Sequence, residues 1–294
     1  MVIGIVAAIV AALAYGTASV LQARGAQSVA DDRGERSDGA GHGGGAAPSL
    51  RSTITAMLTL SFLAGLALDG LGFVGNLVAA RLIPLFLAQP IVSANLVVTV
   101  VLATILLGAR LSRRDWTAIG VVVVSLVALG FAAGDEGRNN EWWLHWALPA
   151  VALGLIALAL LGLRLMTSRV AVLAGLTGGV LFGLMAVAIR IVDGVDPFNL
   201  ATILTDPAAY AVVLCGPAGF YMFTVALQTG SVSAASASLV VGETVVPGVI
   251  GIVLLGDTTR AGWGPVALVA FIAAVIGAVV VAMSPVVEVV ESAG

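Results

Sequence analysis

Lysine is missing from this 294-residue sequence: all 13 basic side chains are arginine, and against 16 acidic residues they leave a net charge of −3. No basic field exists to hold a polyanion, so nucleic-acid binding is set aside. Cysteine occurs once, as Cys215 inside an apolar run, and supports neither a disulfide framework nor a cysteine metal site. The sequence contains no H-E-x-x-H, no G-x-S-x-G, no phosphate loop and no G-x-G-x-x-G that follows a strand. An ATP-driven pump within this chain is excluded, and no enzymatic activity or resident cofactor is expected. Charge is scarce as well, at 10% of residues against 60% hydrophobic, and the mean hydropathy is +1.12. Such a chain belongs in a lipid bilayer.

A bilayer core of about 30 Å needs about 20 apolar residues of helix. Read at that width, the chain gives nine segments, at 2–22, 54–81, 85–108, 114–134, 145–163, 168–189, 207–228, 232–256 and 262–284. The first lacks a basic leading region and is read as a retained helix rather than a cleaved signal. Between it and the second, residues 24–52 combine mixed charge with the glycine run Gly39 to Gly45, a composition that reads as a flexible linker. His42 within it is read as a solvated loop histidine.

Arginine counted by alternate loops falls nine to four. One side has Arg24, Arg33, Arg36, Arg51, Arg110, Arg113, Arg114, Arg164 and Arg169; the other has Arg81, Arg138, Arg190 and Arg260. Short cytoplasmic loops carry the positive excess, so the expectation is a multi-pass protein of the plasma (inner) membrane with its N-terminus outside and its C-terminus cytoplasmic. Trp142, Trp143 and Trp146 form an interfacial belt on the outer face, with His145 beside it.

The sequence also carries an internal correspondence. Ile105-Leu106-Leu107-Gly108 returns as Val253-Leu254-Leu255-Gly256, an offset of 148 that also pairs Phe73 with Tyr221, Asn76 with Thr224 and Asn95 with Glu243. Tyr15-Gly16-Thr17-Ala18 finds its counterpart in Phe182-Gly183-Leu184-Met185. Helices 1–4 then correspond to helices 6–9, and helix 5 is a spacer that forces the second unit to run in the opposite sense, the inverted-repeat plan of many secondary transporters. The expected fold is thus an all-α integral membrane protein of nine transmembrane helices. Residues 1–134 form the first membrane repeat, 135–163 the spacer, and 164–294 the second repeat with a short tail.

These features resemble the drug/metabolite transporter superfamily, and within it the NIPA-type magnesium transporter and EamA-like branch. The similarity rests on Tyr15-Gly16-Thr17-Ala18-Ser19 before Arg24-Gly25, on Leu68-Asp69 where the family has a Gly-Glu pair, on Pro84 and Pro90 six apart, and on the stretch from Ala226-Leu227 to Thr244. The chain departs from the pattern by about one extra helical turn between Asp69 and Pro84, and by lacking an acid in Gly108-Ala109-Arg110-Leu111. The resemblance implies a transporter of small solutes, with magnesium as the substrate of the NIPA-type branch.

Ionisable groups at mid-membrane cost a few kcal/mol and are functional candidates by default. Asp69 and Glu243 qualify, one in each repeat. Gly65, Asp69, Gly72 and Asn76 share one helical face, and Pro217, Tyr221, Thr224 and Gln228 repeat that spacing. Gln89, Ser93, Asn95 and Thr99 add donors and acceptors. The candidate substrate-binding set is therefore Asp69, Asn76, Gln89, Asn95, Tyr221, Thr224, Gln228 and Glu243, each polar amide or hydroxyl also being able to serve as interhelical glue. Gly175, Gly179 and Gly183 suggest close helix packing, and Arg190 with Asp193 and Arg114 with Asp115, at helix ends, are read as snorkelling side chains or loop ion pairs of small worth. Three readings stay open. One is a secondary transporter coupled through a proton or a cation at Asp69 or Glu243. Another is a divalent-cation transporter in which both carboxylates hold Mg²⁺. The last is a membrane scaffold docking a partner through 24–52. The expected partners are the bilayer and a small-molecule or ion substrate, and a homodimer is admitted.

Overall fold

The computed structural model describes residues 1–37, 60–106, 110–165, 170–287 and 290. Among them the chain is helical almost throughout. The helices are α1 (Val2–Ser37), α2 (Leu60–Leu82), α3 (Leu85–Ser93), α4 (Asn95–Leu106), α5 (Arg113–Ala132), α6 (Trp142–Leu165), α7 (Val170–Ile191), α8 (Leu200–Thr205), α9 (Pro207–Thr229), α10 (Val232–Ile250), which ends in a π turn at Gly251–Leu255, and α11 (Gly264–Ala282). Among the described residues, nine helical stretches are long and apolar enough to cross a membrane, with α3 and α4 together making one of them. Large apolar side chains such as Leu158, Val213, Phe220, Val253 and Val269 stand exposed on their outer faces, as suits a protein whose surroundings are themselves apolar.

Where residues are described, the expected spans agree with these helices to within a few residues, except at two places; positions 54–59 of the second span lie outside the described residues. The first helix does not stop at Arg24 but runs on to Ser37. Extending a helix that already exists adds a hydrogen bond for each residue fixed, so a sequence too polar to make a core can still continue one. The rest of the expected linker, 38–52, including His42, lies outside the described residues. The third span is interrupted at Ala94, between α3 and α4. Pro90 inside α3 has no N–H to give, which removes one of the hydrogen bonds holding the turn before the break.

The helices pack in a definite order. α1 lies along α2 and also touches α4; α7 lies along both α9 and α10; α5 packs on α11; and α6 rests mainly on α7 and α9 with most of its surface exposed. Small side chains make these contacts, the core between them being rich in alanine. The helices alternate in direction, so that the loops around Trp142 gather at one end and those around Arg113 at the other.

The Trp142 end is knitted together by polar contacts. Arg190, only 9% exposed, donates to the carbonyls of Ala80, Ile83 and Gly137 and lies 3.6 Å from Asp257 Oδ1. Asp257 accepts from the backbone N–H of Leu85 at 2.6 Å and of Gly137 at 2.7 Å. Arg81 donates to the carbonyls of Ile189 and Val192. The expected pairing of Arg190 with Asp193 is therefore corrected: Arg190 points back into the protein, where free carbonyls at the α2–α3 junction need donors. Asp115 likewise is no partner of Arg114. It closes a capping box with Ser112, accepting from that residue's N–H and hydroxyl at 2.8 Å each.

Removing one member of a buried ion pair strands the other. Arg190→Ala is expected to destabilise the protein by about 3–5 kcal/mol, whereas Arg138→Ala, which breaks only an exposed pair with Glu136, should leave thermal unfolding in detergent unchanged. Equal melting temperatures for the two variants would remove the clamp from this account.

Candidate functional site

The candidate residues do not all meet. Along α2, Gly65, Asp69, Gly72 and Asn76 turn toward α1 and α3. A Cβ on Gly65 would lie 2.8 Å from Gln22 Cγ, and one on Gly72 would lie 2.8 Å from the ring of Tyr15. The space beside these glycines is thus filled by α1 side chains. Asp69, half-buried, accepts from Gln22 Nε2 at 2.6 Å, and Asn76, buried, accepts from Gln89 Nε2 at 3.3 Å.

A second group surrounds the break in the third span. Ser93, the last residue of α3, donates to Glu243 Oε1 at 2.9 Å and shares a hydrogen bond of 3.0 Å with Thr244. Asn95 opens α4, half-buried, and its carbonyl takes the Thr99 hydroxyl, which also reaches the carbonyl of Gly16. Tyr15 joins the groups, lying within electrostatic reach of both Asp69 and Glu243.

The remaining candidates stand apart. Tyr221 is 53% exposed on the outer surface of α9. Thr224 gives its hydroxyl to the carbonyl of Phe220 within the same helix, and Gln228 is exposed near the end of α9. Residues that matched Phe73 and Asn76 by spacing therefore face elsewhere in space.

Glu243 owes its position to a close crossing of α7 and α10. A Cβ on Gly179 would collide with the carbonyl of Leu239 and come within 3.0 Å of the N–H of Glu243, while one on Gly242 would lie 2.6 Å from Val180 N. Gly175 and Gly183 lie against the same helix. The four-residue glycine spacing is thus a packing seam that carries one face of α10, and Glu243 with it, toward α3.

Gln22, Tyr15 and Thr244 were not read from the sequence as contacts of the carboxylates. A signal was present, since Tyr15, Ser19 and Gln22 follow i, i+4, i+7 and put three polar groups on one face of an otherwise apolar helix. No family model matches the chain, and no curated protein or solved structure gives a significant match.

The glycine seam can be tested directly. Gly179→Ala is expected to part α7 from α10 at a cost of about 1–3 kcal/mol, while Gly154→Ala on α6, where nothing lies within 4 Å, should be neutral or slightly stabilising. Thermal unfolding of both variants in the same detergent is the measurement; equal stability would remove the close crossing as the support of Glu243.

Proposed function

We propose that the protein is a multi-pass secondary transporter of the drug/metabolite type, carrying a small solute across the plasma membrane through the polar region around Asp69 and Glu243. The observation that carries the reading is a pair of mid-span carboxylates from separate halves of the chain, each hydrogen-bonded to a side chain of another helix, Asp69 to Gln22 of α1 and Glu243 to Ser93 of α3. The irregular turn at Ala94, which keeps its helical hydrogen bonds to Pro90 and Val98, adjoins Ser93, and transporters of the inverted-repeat plan bind substrate near the bilayer midplane.

The packing supports the inverted repeat as part of this proposal. α1 lies against α2 and α4 much as α7 lies against α9 and α10, and the last helices of the two halves, α5 and α11, pack on each other. On this reading the arginine-rich Arg113 end is cytoplasmic, by the excess of arginine in its loops, and the Trp142 end, with the N-terminus, is outside.

A second reading keeps the same site and makes a divalent cation such as Mg²⁺ the solute. It is favoured by the absence, among the described residues, of any arginine hydrogen-bonded to Asp69 or Glu243: Arg81 and Arg190 spend their donors on carbonyls. Two carboxylates and retained waters suit Mg²⁺.

If the carboxylates serve transport, Glu243→Gln and Asp69→Asn should fold with near wild-type stability yet lose solute-induced stabilisation and uptake in proteoliposomes, and Asn76→Ala should only weaken them. A screen of ions, metabolites and amphiphiles by thermal shift supplies the solute, since a ligand of the native state raises its stability. Mg²⁺ protection lost in both variants would decide for the second reading. Wild-type behaviour of both variants would return the carboxylates to packing.

Topology has its own check. Cys215 is fully buried, so the native background should be silent to an impermeant thiol reagent. In intact cells a cysteine at Arg138 should react and one at Arg110 should be protected; the reverse pattern would invert the orientation.

A further inference from the structure

His145 lies one turn into α6 beneath the tryptophans, yet it is 1% exposed. Its Nδ1 is 2.6 Å from Asp206 Oδ1 and its Nε2 is 2.7 Å from Asn140 Oδ1. The hydrogen roles around it follow from one amide. Asn140 gives its Nδ2 to Asp193 Oδ1 at 3.0 Å, and a carboxylate only accepts, so the end of Asn140 that faces His145 is its oxygen. An amide oxygen also only accepts. Nε2 must therefore carry the ring hydrogen, and in the neutral ring Nδ1 is left with a lone pair aimed at a carboxylate.

Asp206 has no hydrogen of its own to offer there. It is 3% exposed, caps α9 by accepting from the N–H of Ala208 at 2.8 Å, and accepts from the N–H of Asp193 at 2.7 Å through its other oxygen. Two lone pairs at 2.6 Å repel unless something positive lies between them. A proton would satisfy the pair alone. A third potential ligand lies beside the pair: a ligand atom of Asp193, at the surface, is within 4.8 Å of those of His145 and Asp206, so two carboxylates and one imidazole converge on one point.

We propose that His145 Nδ1, Asp206 and Asp193 form a binding site for a single Zn²⁺-class divalent cation at the Trp142 end. An imidazole nitrogen with two carboxylate oxygens suits Zn²⁺ better than Mg²⁺, which seeks six oxygens in an octahedron. Tetrahedral bonds of about 2.0–2.1 Å set ligand atoms about 3.3 Å apart, so the His145–Asp206 pair need open by less than about 1 Å, and water completes the shell. Asn140 is the outer partner that holds the imidazole in the metal-binding tautomer, the usual arrangement for a ligating histidine. Entry is open, because Asp193 and Asn140 are exposed at the surface while His145 and Asp206 lie behind them. A bound ion would staple the start of α6, the loop after α7 and the start of α9.

The site is separate from Asp69 and Glu243, and its test does not involve transport. Purified full-length protein, freed of any affinity tag and stripped with EDTA, is titrated calorimetrically with ZnCl₂ and, separately, MgCl₂, and its metal content is measured after dialysis. One Zn²⁺ per chain is expected, with a rise in melting temperature that persists in Asp69→Asn and Glu243→Gln and that Mg²⁺ does not reproduce in those variants. Asn140→Ala should weaken Zn²⁺ binding about 10–100-fold. Asp193→Asn, an exposed and isosteric change, should weaken it at least about tenfold while leaving the melting temperature of the metal-free protein unchanged. Absence of Zn²⁺ binding would assign the His145–Asp206 contact to a proton and overturn the proposal, as would wild-type Zn²⁺ affinity in Asp193→Asn.

Discussion

A guanidinium keeps its charge wherever the chain takes it, and so it must find acceptors there. Arg190 sits at the end of α7, buried, and finds them in the carbonyls of Ala80 and Ile83 at the α2–α3 junction and of Gly137 in the loop before α6. Asp257, beyond the π turn of α10, balances it and caps α3 through the N–H of Leu85. Four separate parts of the chain are thereby held at one end by a single cation and a single anion. Apolar helices in lipid gain little from burying more hydrocarbon against one another, so polar ties of this kind carry much of the burden of fixing which helices are neighbours.

The same economy of driving force explains the glycine seam. With no hydrophobic gain to hold α7 against α10, close backbone approach and the dispersion that comes with it take its place. Gly179 and Gly242 permit that approach reciprocally. The seam and the clamp act together on Glu243: one sets how near α10 comes to α7, the other sets where α3 begins, and Ser93 at the far end of α3 then meets the carboxylate. A carboxylate held by short-range packing on one side and the end of α3 on the other is positioned by elements that do not themselves carry charge.

Much of this was legible in the sequence, and the reasons are physical. Span length and hydropathy located every crossing, because the bilayer demands about 20 apolar residues whatever the fold. Glycines at four-residue spacing announced the seam, because helical periodicity alone places them on one face. Arg190 does lie at a helix end, but its partner is not Asp193, since local spacing cannot reveal that carbonyls more than 100 positions away in sequence are waiting for donors. His145 was placed at the interface with its neighbouring tryptophans, although Trp142, Trp143 and Trp146 are exposed and His145 between them is not; its burial depends on Asp206, which belongs to another helix. Tyr221, Thr224 and Gln228 match α2 residues by offset, but facing is set by which neighbour a helix packs against, and α9 turns another side to α7.

Polar ties hold distant parts of the chain together. At the Trp142 end Arg190, Arg81, Asp257, His145 and the paired loops Gly134 with Thr258 and Asn139 with Leu255 all cross between elements distant in sequence. Along the third span residues 83–93 are buried, 94–98 are half-buried, and Thr99, Val100 and Ala103 are buried again; Tyr15, Asp69 and Glu243 are each half-buried. On the transporter reading, admitting a solute at the Trp142 end would require parting a buried ion pair and several backbone hydrogen bonds at once.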